Sequence, residues 1–246
     1  TILHYYAGKL PDDRADLYED MTQLLLTRWT AQRREAGAGP SLIEQLRTLE
    51  PRLSGLSDYD IRSVLESLAY RAHQAEQKPD VRGLLEKGIV REAFIKRFAN
   101  FHLDDTQDGA AGKCAALVLR YLEEESGLLL HEGGDLYGLP HLTYEEYLAA
   151  CHLAKQKGKA DFRALAYQHW RNDPGRWREV IFLALGRMIR GDDRDIAAGW
   201  LDFLLMQGHG IRSRDPLELH QAALFAGDCL GEIGGTAKLS DATIVD

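Results

Sequence analysis

Residues 126–139, SGLLLHEGGDLYGL, set two short apolar runs on either side of Gly133-Gly134-Asp135. Adjacent glycines supply the positive-φ residues of a tight turn, so this stretch predicts a β-hairpin. Around it the apolar residues follow a helical period. Ile61, Val64, Leu65, Leu68 and Ala72 fall on one face of a helix over 56–74. Ser57 is its expected N-cap, with Asp60 three residues on. Phe94, Ile95, Phe98 and Phe101 mark a shorter helix over 88–101, after Pro79. HLDDTQDGA (102–110) reads as a polar loop, and 110–125 as helix again.

Helices, one hairpin and a following helix over 56–155 have the order of a winged-helix variant. The flanks are helical too. In DDRADLYEDMTQLLLTRW (12–29), Leu17, Met21, Leu24, Leu25 and Trp29 share a face. Acidic residues fill its first turn, which the helix dipole favours. REAGAGPS (34–41) reads as a connector. Helices follow over 175–190, 195–208 and 215–235, the last with Asp215 as N-cap and Pro216 at its first position. Their short polar links predict a HEAT-like α-solenoid, although no strict repeat is visible. The expected fold class is therefore mainly α. A helical segment (1–55) precedes a winged-helix-like domain with one hairpin (56–155), and partial HEAT-like repeats follow (156–246). The chain opens on Thr1 in the middle of an apolar pattern, TILHYYAGKL. That predicts a piece of a longer protein extending upstream.

Composition narrows the function classes. Hydrophobic residues make up 45 % of 246 residues, enough for a sizeable core. A net charge of −8 disfavours a nucleic-acid coating role, which needs clustered Lys and Arg. The cysteines, Cys114, Cys151 and Cys229, are odd in number and far apart. They form no disulfide framework and no zinc ribbon, and a reducing, cytoplasmic compartment is expected. No apolar run approaches the roughly 20 residues of a membrane span.

Catalytic motifs are incomplete. DGAAGKC (108–114) imitates a phosphate loop, but Gln107 and Cys114 stand where the first glycine and the magnesium-binding hydroxyl belong. H-E-x-x-H, G-x-S-x-G and G-x-G-x-x-G after a strand do not occur. Tyr5, Tyr6, Trp170 and Trp177 read as helix-packing aromatics, and the run Glu123 to Glu125 as a solvated helix end. The chain is expected to be no enzyme by itself, with no catalytic residue, no metal site and no cofactor of its own.

The most informative segment is YGLPHLTYEEYLAACHLA (137–154). Thr143 and Glu146 form a T-x-x-E capping box, which predicts a helix start at Thr143. His141 sits just before it. Free N–H groups at a helix start favour phosphate, and a histidine there adds a donor. The alternative for His141 is a ring bonded to the backbone at a hairpin–helix junction.

Three stretches together resemble the regulatory half of NACHT-type (STAND class) signal-transduction NTPases. They are 10–29, then SGLLLHEGGDLYGLPHLTYEEYLAACHLA (126–154), and WREVIFLALG (177–186). The second is the specific one; Leu139-Pro140 there replaces the family's usual aromatic before the histidine. The resemblance implies an upstream ATPase core that binds ATP or ADP with Mg. It implies that His141, supported by Thr143 and Glu146 at the helix start, contacts the β-phosphate of ADP in the resting state. It also implies release and oligomerisation on exchange for ATP. The expected partners are the upstream core and an unknown protein or trigger on the helical repeats, with no membrane. Two other readings stand beside it: a nucleotide-independent interaction scaffold, and a DNA-binding winged helix. VLRYLEEESG weakens the last, with one basic residue against three acids.

Overall fold

Start signals written in the sequence decide where several helices begin. The computed structural model describes residues 14–28, 39–76, 82–156, 159–191, 193–209 and 216–234. It divides into two compact units between Ala149 and Ala150.

The first unit opens with α1 (Arg14–Gln23) and a π-helical turn over Leu24–Arg28. Next comes α2 (Leu42–Leu49). Here Ser41 and Glu44 form a complete capping box, with the Glu44 carboxylate accepting from the Ser41 N–H at 2.8 Å. A 3-10 turn (Pro51–Gly55) leads to α3 (Asp58–Ala75). The Asp60 carboxylate accepts from the Ser57 N–H at 2.7 Å and from its hydroxyl at 2.8 Å, as the spacing predicted. All five stripe residues of α3 are buried.

A short strand, β1 (Leu84–Glu86), runs directly into α4 (Lys87–Ala99), and α5 (Ala110–Arg120) follows. A second π-helical turn (Tyr121–Glu125) ends α5. Then come β2 (Leu130–His131), β3 (Leu136–Gly138) and α6 (Leu142–Ala154). Gly133 and Gly134 carry φ of 95° and 60°, the backbone that the hairpin turn requires. The sheet is antiparallel in the order β1-β3-β2, and Tyr137 pairs with both Leu85 and His131. Leu85 and Tyr137 are buried while Leu84, Leu130 and Leu136 are exposed, the alternation of a one-sided sheet. Three helices, a hairpin and a third strand from between the first two helices make a winged helix. The sequence reading had the hairpin but not β1.

The face of α1 also differs from expectation. Leu24 and Leu26 are buried, whereas Leu17, Met21 and Leu25 are half-buried. The π-helical turn holds an extra residue, so the buried face shifts within it. Trp29 lies outside the described residues.

The second unit is helical among the described residues. After the end of α6 come α7 (Lys159–Asn172), α8 (Pro174–Arg190), α9 (Arg194–His209) and α10 (Pro216–Gly234). The sequence reading had not singled out α7. Asp173 caps α8, its carboxylate accepting from the Arg176 N–H at 3.0 Å, with Pro174 at the first position. The expected cap Asp215 lies outside the described residues. Aromatic rings join these helices: Phe162 meets Trp200 edge-on at 6.0 Å, and Trp170 stacks on Phe225 at 5.3 Å. Among the described residues no helix is long and apolar enough to cross a membrane.

Candidate functional site at the start of α6

The chain leaves β3 at Gly138, passes buried Leu139 and reaches His141, which is exposed. The helix then begins earlier than the T-x-x-E spacing predicts, its N-cap lying two residues before Thr143. The N–H groups of Tyr144 and Glu145 both donate to the His141 carbonyl at 3.1 Å, so His141 is the N-cap and Thr143 lies inside the helix. Thr143 bonds the His141 ring, and Glu146 is buried. The expected capping box is thus corrected. The His141 ring supplies the acceptor that a hydroxyl was expected to supply.

This cap orients the ring. Nδ1 accepts from the Thr143 N–H at 3.3 Å and lies 2.9 Å from the Thr143 hydroxyl. A backbone N–H only donates, so Nδ1 is the acceptor and the neutral ring carries its proton on Nε2. Nε2 has no partner among the described residues. An exposed N–H donor therefore stands beside the first turn of a 13-residue helix.

The rest of the motif turns inward. Tyr144, Glu145 and Tyr147 are all buried. The Tyr144 hydroxyl donates to the Thr22 hydroxyl at 3.1 Å, and Thr22 donates to the Tyr18 carbonyl at 2.7 Å. Tyr147 donates to Glu19 and accepts from Arg62 at 3.2 Å, and its ring lies 5.6 Å from that of Tyr18. Arg62 holds Glu19 through both of its terminal nitrogens and Glu66 through Nε at 3.0 Å. Glu145 spans two further elements. One oxygen lies 2.9 Å from His73 Nδ1, and the other accepts from the Gly83 N–H at 2.7 Å. Gly83 permits this approach because a Cβ there would lie 2.1 Å from the Ala72 carbonyl oxygen. The motif thus fastens α6 to α1, α3 and the lead-in to β1. These roles were not read from the sequence.

The remaining candidates are structural. DGAAGKC is a packed helix start: Gly109 precedes α5, and a Cβ on Gly112 would lie 1.8 Å from the Gln107 carbonyl oxygen. Burial, with a smaller push from Glu50, raises the Cys114 thiol to about 11. Trp170 and Trp177 are buried, while Tyr5 and Tyr6 lie outside the described residues. Glu124 is exposed as expected, but Glu123 accepts from the Tyr137 hydroxyl at 2.8 Å. Among the described residues no group of three His, Cys, Asp or Glu side chains is placed to hold a metal ion.

A family model described as a winged helix-turn-helix domain C-terminal to NACHT matches residues 14–153, more than half of the chain. No curated protein and no solved structure matches.

Proposed function

The chain belongs to the family of winged helix-turn-helix domains C-terminal to NACHT, and from that premise we propose that it is the nucleotide-sensing part of an NTPase switch. In the resting state this domain closes over ADP held by the NACHT core of the same protein. That core supplies the ATPase activity and the Mg site. His141 Nε2–H donates to the β-phosphate, and Thr143, as ring partner, sets the proton on Nε2. Exchange for ATP releases the domain and allows assembly of the protein. The helices after α6 form HEAT-like repeats that present a protein-binding surface, and the protein works in the cytoplasm. The observation that carries this reading is the exposed His141 cap, which turns one donor outward beside the positive end of the α6 dipole.

The test uses the protein together with its NACHT domain. Bound adenine nucleotide is quantified by chromatography of the denatured extract. Stoichiometric ADP supports the switch; a folded, nucleotide-free protein counts against it. A nucleotide-independent scaffold is the second reading, favoured by Leu224 and Leu230, which are 58 % and 38 % exposed on α10.

A further inference from the structure

Glu145 is an expensive residue in its place. It is fully buried, and a buried carboxylate costs several kcal/mol unless it is paired. An apolar side chain at 145 would pack without that cost. What the carboxylate adds is direction. It meets His73, also fully buried, in the last turn of α3, and it meets the Gly83 N–H at the entry to β1. Its own backbone N–H donates to the His141 carbonyl. One residue therefore joins the end of α3, the start of the sheet and the cap of α6. Rotating α6 by one residue, about 100°, would break both carboxylate bonds and re-aim the His141 ring.

We propose that Glu145 and His73 are positioning residues for His141: their buried bond, with the Gly83 N–H, fixes the first turn of α6 and so the direction of the His141 Nε2–H. Its functional meaning rests on His141 facing a phosphate. The geometry itself is testable without nucleotide, so the two ideas fail separately.

The test is nitrogen–proton NMR of the imidazole rings of the 246-residue chain, with the His141 signal identified by its loss in His141→Ala. Wild type is expected to show the Nε2–H tautomer at His141. Glu145→Gln keeps both contacts with the bond to His73 reversed, its carbonyl accepting from Gly83 and its amide donating to His73 Nδ1 as the His73 ring proton moves to Nε2, and should retain the His141 signature. Glu145→Ala should mix the two tautomers and speed amide exchange at Thr143 about tenfold. Exchange at residues 94–98 of α4 should not move. His73→Ala, which leaves the Gly83 bond in place, should show the same change in smaller degree and serves if Glu145→Ala does not fold. An unchanged His141 tautomer and unchanged Thr143 exchange in a folded alanine variant would overturn the proposal. So would a mixed tautomer in wild type or in Glu145→Gln.

Discussion

Replacing Arg62 with alanine removes the cation that joins α1, α3 and α6. Its guanidinium bonds Glu66, both oxygens of Glu19 and the Tyr147 hydroxyl. Exposure decides how much each contact is worth. The Glu19 side chain is 38 % exposed and hydrates when released, so its share is that of a surface pair, about 0.2–1 kcal/mol. The Glu66 side chain is 1 % exposed and stays buried, and losing the cation opposite such a carboxylate costs about 3–5 kcal/mol. Arg62→Ala should therefore lose about 3–5 kcal/mol, and Glu19→Gln less than about 1 kcal/mol. Two compact units make a single global transition a poor measure, so the assay is native-state amide exchange over 61–68 of α3. The expected acceleration in Arg62→Ala is roughly two to four orders of magnitude. Equal effects in Arg62→Ala and Glu19→Gln would refute the argument that burial of Glu66 sets the cost, as would an Arg62→Ala loss below about 1 kcal/mol.

Gly83→Ala forces the lead-in to β1 away from the Ala72 carbonyl and breaks the 2.7 Å bond to Glu145. Overpacking and the lost charged hydrogen bond together predict a loss of about 3 kcal/mol or more, read as faster native-state amide exchange over 61–68 of α3; unchanged exchange contradicts it. Burial first, and Glu123 second, push the Tyr137 phenol up to about 12. A raised folded value means that this stabilisation is full below the unfolded value of about 10 and is lost as pH rises toward 12. Stability should fall more steeply above about pH 10 in wild type than in Tyr137→Phe, and identical slopes would count against the Tyr137–Glu123 bond. Asp60 behaves oppositely. Burial raises its carboxyl, but bonds from Arg97 and Ser57 outweigh burial and hold it below the usual carboxylate range. That stabilisation is present above about pH 3.9 and is lost as pH falls through the lower folded value. Asp60→Asn should flatten the acid limb of a stability-against-pH curve.

Local chemistry was legible wherever it was self-contained. The Ser57 cap needs only Asp60, and the hairpin turn needs only its glycines, so both could be read from a few adjacent residues. Ser41 and Glu44 carry an equally local signal for the start of α2. β1 was beyond such reading: its three residues form a strand only because β3 stands beside them. The start of α6 was misplaced because a histidine ring, and not a hydroxyl, accepts the capping bond. The inward roles of Tyr144, Glu145 and Tyr147 depend on partners remote in sequence, with Glu145 to His73 spanning 72 positions and Tyr147 to Glu19 spanning 128. A spacing rule covers one or two helical turns and cannot show such pairs. His141 was singled out because the resemblance and the physics of a helix start converged on it, while the structure supplied its tautomer and exposure.

The most direct test of the account is the rate at which ADP leaves the protein with its NACHT domain, in wild type and in His141→Ala. A hydrogen bond to a charged phosphate contributes about 1.5–3 kcal/mol, so the variant should release ADP about ten- to a hundredfold faster. Equal release rates from two equally folded proteins would contradict the account and return His141 to the role of a helix cap alone.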